Sequence, residues 1–121
     1  MSRTVTQVPD PRPDVVDGRI HGSRCTACGQ TSARPVPRCA RCRSAVEDAA
    51  FGPDGVVWSS TVIRIGVPGR PAPRALAYVD LVDGPRLLAH VSDVDEVLPP
   101  GTAVRLTTTS PEGDPLVEVV R

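Results

Sequence analysis

Cys25-Thr26-Ala27-Cys28 and Cys39-Ala40-Arg41-Cys42 are two C-x-x-C pairs ten residues apart, and they contain every cysteine of the chain. Zinc takes four thiolates at tetrahedral corners, with Zn–S bonds of about 2.3 Å. One C-x-x-C turn delivers two such ligands from a single knuckle, and the second pair supplies the other two. Gly29 follows the first pair, where a left-handed backbone lets the chain wrap around the sulfur. Arg43 holds the equivalent place after the second pair, which predicts a strained or differently shaped second knuckle. Two disulfides would need an oxidising compartment, and a thioredoxin-type pair needs one C-x-x-C at a helix start. Rubredoxin-like iron stays compatible with four cysteines. The double spacing points to a structural metal, zinc first, held by Cys25, Cys28, Cys39 and Cys42. Such a site is closed and cannot activate water.

Other chemistry-bearing residues are weaker. His21 lies close to Cys25 but is surplus to a filled four-cysteine site, and His90 reads as a satisfied or exposed strand histidine. Ser59 and Ser60 lack a glycine-flanked elbow and a partner base. Asp93, Asp95 and Glu96 read as a solvated acidic turn. Residues 18–44 carry six arginines and no acid. Bound zinc and four thiolates would lower that charge of six to about +4. These arginines either offset thiolate charge or meet an anionic partner, since the guanidinium fork suits phosphates and carboxylates. Arg34, Arg38 and Arg41 are the candidates for such contact, with nucleic acid, coenzyme A phosphates or an acidic protein face as partner. Trp58 is the fourth candidate contact, expected either at the junction of the cysteine zone with the rest or in the core.

These residues must be held by elements the pattern also predicts. Residues 1–17, with Pro9, Pro11 and Pro13, read as a flexible tail. Residues 18–44 form the zinc ribbon, and residues 45–121 a β domain. Gly55–Ile65 alternates, with Val57, Ser59, Thr61, Ile63 and Ile65 on one face, which predicts a strand. Ala75–Val82, Arg86–Val91, Thr102–Thr109 and Leu116–Val120 follow as further strands. Asp83-Gly84-Pro85 and Pro111-Glu112-Gly113-Asp114 mark turns. Ser92–Val97 is expected as one short helical turn. Five short strands suit a small barrel such as the oligonucleotide/oligosaccharide-binding (OB) fold, and a sandwich fragment would give the same string. No stretch resembles a signal peptide or approaches a bilayer span, so a cytoplasmic location is expected.

The chain resembles the two-part zinc-ribbon/OB-fold family catalogued as a domain of unknown function and found beside thiolases. The resemblance rests on Gly18-Arg19-Ile20, Arg24-Cys25-x-x-Cys28-Gly29 and Arg34-Pro35-Val36-Pro37-Arg38-Cys39-x-x-Cys42. It continues through Gly55-Val56-Val57-Trp58-Ser59-Ser60-Thr61, Ala77–Leu88 and Gly101-Thr102-Ala103-Val104. It implies a mainly β protein, a rubredoxin-like zinc ribbon followed by a five-stranded OB barrel. It also implies a non-catalytic accessory subunit of a thiolase-like, ketosynthase-like or aldolase complex that helps to hold acyl-CoA, with the reactive groups on the partner. Relatives usually begin with a helical hairpin, which residues 1–17 with three prolines do not supply. That departure leaves room for a ketosynthase-like partner.

Two other function classes compete. A nucleic-acid binder predicts a basic groove interleaved with aromatics. Residues 51–121 instead carry six arginines against nine acids, and Phe51, Trp58 and Tyr78 are the only aromatics. A stand-alone enzyme needs a nucleophile and a base in register, and no such set is visible.

Overall fold

The computed structural model of the chain describes residues 11–121 as nine β-strands. The first sheet is built around β2 (Arg19–Cys25). Along one edge β2 pairs antiparallel with β4 (Val46–Phe51), from Ile20 opposite Phe51 to Cys25 opposite Val46. Along the other edge it pairs first with β1 (Val15–Val16) and then with β3 (Thr31–Ser32). The remaining strands are β5 (Asp54–Ile63), β6 (Arg74–Leu81), β7 (Arg86–Val91), β8 (Ala103–Thr109) and β9 (Pro115–Val119). They close into a barrel in the order β5-β6-β7-β9-β8, with β5 returning to β8. All of the barrel pairings are antiparallel except β7 with β9. A five-stranded closed barrel of this order is the OB arrangement, and it decides against the sandwich fragment.

Three local expectations are corrected. Of the segment expected as a tail, residues 1–10 lie outside the described residues, whereas Val15–Val16 forms β1 and the Val15 amide donates to Thr109 Oγ1 at 2.8 Å. β4 belongs to the ribbon sheet, so ribbon pairing runs past residue 44 to Phe51. Ser92–Val97 forms no helical turn; Ser92 and Asp93 sit in a turn with Asp93 left-handed (φ 57°). The Ser92 amide donates to the Val117 carbonyl instead, which starts the loop toward β8 in a non-helical direction.

The alternation along β5 also breaks. Its register with β6 shifts between Val57 and Ser59, so Trp58 is an extra residue in the ladder. A bulge of this kind reverses which residues face inward beyond it. Val57 is buried, Trp58 and Ser59 both face out, and Val62 packs against the core. The expected grouping of Val57 with Ser59, Thr61 and Ile63 therefore holds only up to the bulge. Ser60, half-buried, accepts from the Leu98 amide at 2.7 Å and donates to its carbonyl at 2.9 Å, tying the loop before β8 to β5.

Ribbon and barrel share one core. Ile20 and Phe51 from the ribbon sheet join Val57, Val79, Val104, Leu106 and Val117 from the barrel. At the junction, a Cβ placed on Gly84 would lie 2.9 Å from the Phe51 ring, so the turn between β6 and β7 reaches Phe51 only because it has no side chain there. Arg24 covers the same ring at 5.6 Å and donates from Nη2 to the Asp83 carbonyl at 3.0 Å.

Candidate functional site

The two C-x-x-C knuckles are near copies. In each, the amide after the second cysteine turns back to the carbonyl of the first: Gly29 to Cys25 at 3.2 Å, Arg43 to Cys39 at 2.9 Å. Both turning residues are left-handed, Gly29 at φ 78° and Arg43 at φ 64°. The second knuckle thus has the shape of the first, and Arg43 accepts a conformation that costs a residue with a Cβ roughly 1 kcal/mol. The expected difference between the knuckles lies in strain, not in shape. Arg38 Nη1 donates to the Arg43 carbonyl at 3.3 Å, bracing that turn.

The knuckles bring the four sulfurs together. The Cys25 and Cys42 sulfurs lie 3.4 Å apart, and Cys28 lies 3.7 Å from both Cys39 and Cys42. All four are within 4.8 Å of one another and none is in a disulfide. Four thiolates 2.3 Å from one tetrahedral ion would be about 3.8 Å apart, so this set has the size and chemistry to hold a single zinc ion. Backbone amides point at the sulfurs: Ala27 and Cys28 toward Cys25 at 3.3 and 3.4 Å, Arg41 toward Cys39 at 3.4 Å. At Cys39 this donor favours the thiolate, the form that binds metal. The hydroxyl and amide of Ser44 hold the Cys42 thiol down to about 6, and the amide of Cys42 leads those that lower Cys39.

A second cluster was not legible in the sequence. Asp114, buried immediately before β9, receives Arg12 Nη1 at 3.0 Å and Arg70 Nη1 at 2.6 Å. His90 Nε2 lies 3.3 Å from the same carboxylate. Residues 12, 70, 90 and 114 share no local motif, and only barrel closure brings them together. Burial pushes the His90 imidazole below its usual value, against the pull of Asp114, and the charges of Arg70 and Arg74 add to the depression. The unfolded chain therefore takes up this proton first as pH falls through about 6.5, so the histidine contributes a loss of stability on acidification. His90→Gln should flatten the stability difference between about pH 7.5 and about pH 5.5 in denaturant titrations. An unchanged pH dependence would show that other groups set it.

Beside this cluster a cleft of about 350 Å³ opens between ribbon and barrel, lined by Pro11, Pro13, Ala33, Arg34 and Leu88 among others. Arg86 reaches its edge and also lies 3.8 Å over the Trp58 ring. The four candidate contact residues thus separate. Arg34 faces the cleft, and Trp58 stands next to Arg86 on the barrel's outer surface, half-exposed rather than in the core. Arg38 and Arg41 are exposed on the second knuckle and do not line the cleft. His21 is exposed.

A family model described as the ChsH2 C-terminal OB-fold domain matches residues 49–109. The chain belongs to this family. Among solved structures, the Ltp2-ChsH2(DUF35) aldolase is similar with 27% identity and a TM-score of 0.66, over 84% of each chain. A protein of unknown function from the DUF35 family of Sulfolobus solfataricus is similar with 20% identity and a TM-score of 0.62. That alignment covers 84% of this chain and 76% of the other, and it supports the fold alone. No curated protein matches. In the ChsH2 OB-fold family the match spans β5 to β8, the strands that carry Trp58, Tyr78 and Arg86. Among the described residues no helix is long and apolar enough to cross a membrane.

Proposed function

We propose that this chain is a non-catalytic accessory subunit that works bound to a thiolase-like, ketosynthase-like or aldolase enzyme. The observation that carries this reading is the likeness, over 84% of both chains, to a component of a structure described as the Ltp2-ChsH2(DUF35) aldolase. One structural zinc ion sits among Cys25, Cys28, Cys39 and Cys42. With all four positions filled by protein it supplies folding free energy and leaves no place for substrate. The partner provides the reactive groups. Arg34, Arg38, Arg41 and Trp58 contact the partner or its acyl-CoA thioester, with Arg34 at the cleft mouth the best placed for a phosphate or carboxylate.

Nucleic acid is not the favoured ligand, because three of the six arginines in residues 51–121 are drawn into carboxylate pairs: Arg70 with Asp114, Arg86 with Asp80, Arg105 with Asp54. Paired arginines do not form the free basic track that a phosphate backbone needs.

The experiment is affinity purification of the tagged chain from its native cells, with mass spectrometry of what co-purifies. A thiolase-like or ketosynthase-like enzyme at near-equal amount is the expected result. Recovery of the chain alone, or with nucleic acid that nuclease removes, would overturn the reading. Zinc content by elemental analysis should be close to one per chain, and iron in its place would replace the metal assignment.

A further inference from the structure

The outer face of β5, β6 and β7 carries an apolar patch that the core does not use. Val56, Trp58, Tyr78 and Leu88 are 43%, 51%, 46% and 47% exposed. The register makes them neighbours: Val56 lies opposite Asp80, which lies opposite Arg86, and Tyr78 lies between Ser59 and Leu88. Trp58 meets Tyr78 edge to face, with ring centroids 6.1 Å apart. Arg86, tied to Asp80 by contacts of 2.7 and 3.1 Å, lies over the indole. The chain has three aromatic residues in all, and two of them are displayed here instead of being buried. Trp, Tyr and Arg at the centre of an exposed apolar patch are the residue types that dominate protein–protein binding energy.

The charge around the patch says what covers it. Arg34 shares the junction cleft with Arg86 and Leu88, and among the described residues it has no carboxylate partner. Among the same residues this holds for Arg19, Arg38, Arg41 and Arg43, whereas the arginines that form ion pairs there do so with acids of the barrel. A second copy docking through this face would set the Arg34 side chains of both copies at one interface, which opposes association. An acidic rim around an apolar centre on a different protein would satisfy both features.

We propose that the β5–β6–β7 face, centred on Trp58 and Tyr78 and rimmed by Arg34, is the surface that docks the partner enzyme, which presents an apolar patch edged by carboxylates. This rests on the accessory-subunit reading and names its interface. Trp58 supplies the desolvated anchor. Alternation after the buried Val57 points it outward, and Arg86 limits its rotamers before binding, which reduces the ordering cost. Arg34 acts at longer range, steering encounter and responding to salt.

The test uses the full-length chain and the thiolase-like enzyme that co-purifies with it, both purified, with affinity and rates read by biolayer interferometry. Trp58→Ala should weaken binding by about thirtyfold or more, mainly through faster dissociation. Arg34→Glu should slow association and remove much of the salt dependence. Ile65→Ala, at an apolar residue 78% exposed outside the patch, should bind as the parent does. Thermal melts check that each variant is folded. Equal affinity of Trp58→Ala, Arg34→Glu and the parent would overturn this docking face while leaving the accessory role standing. Loss of self-association in Trp58→Ala, seen by light scattering and without change in enzyme affinity, would assign the face to a second copy and overturn the proposal. If the parent chain binds no such enzyme, both the interface and the accessory role fall.

Discussion

Cys39→Ser is expected to strip the metal and unfold the ribbon. Cys39 is buried and sits at the start of the second knuckle, where its amide and carbonyl also close the turn to Ser44 and Arg43. Three thiolates would leave an open position for water, and the binding free energy that folds the knuckles would fall. In zinc-finger peptides that free energy is about 10–16 kcal/mol at neutral pH, which exceeds what the few apolar residues of this zone can replace. Because Ile20 and Phe51 belong to the shared core, the damage should spread to the barrel as a lower melting temperature. Elemental analysis should find less than about a tenth of an equivalent of zinc. A soluble Cys39→Ser chain with a full equivalent of metal would count against the closed four-cysteine site.

The second large effect is expected at Leu106. Its side chain is 2% exposed, and its amide donates to the Pro53 carbonyl at 2.8 Å, where the chain passes from ribbon to barrel. A Cβ on Gly52 would lie 2.9 Å from Leu106 Cδ1, so the connection is packed directly on this leucine. Leu106→Ala removes that packing at a point bounded by β8 and the inter-sheet connection, where collapse is restricted. The cost should be about 2–5 kcal/mol. In a domain of this size that lowers the melting temperature by roughly 10 °C. Leu106→Met, close in volume, should lose much less. Equal losses for both variants would show that shape, not lost volume, governs the site.

The parts of this structure that sequence disclosed are those with short-range causes. Two C-x-x-C pairs at ten residues' separation require little more than a tight turn each, and Gly29 marks the first turn directly. The barrel strands declare themselves through alternation such as Leu87, Ala89 and Val91 inward, Leu88 outward. What remained hidden depends on partners distant in the chain. β4, with Glu47, Asp48, Ala49 and Ala50, has no alternation strong enough to assign it, and only its pairing with β2 places it in the ribbon. The bulge at Trp58 is invisible because Trp-Ser-Ser reads as a regular strand until β6 fixes the register. Asp114 reads as part of a turn signal, and its burial follows from two arginines and a histidine contributed by the segment before β1, the β5–β6 connection and β7. The fold was therefore legible, and so was the metal site. The aromatic face was not, since Val57 inward and Trp58 outward, like Ala77 inward and Tyr78 outward, are set by alternation, but the register that puts the two rings side by side is set only by the β5–β6 pairing.

Barrel closure also has a consequence for how the chain behaves in a crowded solution. The β5–β9 barrel leaves no strand with a free hydrogen-bonding edge along its full length, whereas β4 pairs with β2 and with no other strand among the described residues. An unpaired edge can template the strands of other molecules into a growing cross-β stack. Glu47 and Asp48 lie side by side on this edge, both exposed, and stacking copies would pile their carboxylates on one another every 4.7 Å or so. The sequence stretch that looks least like a strand thus sets two carboxylates against such stacking at the β4 edge.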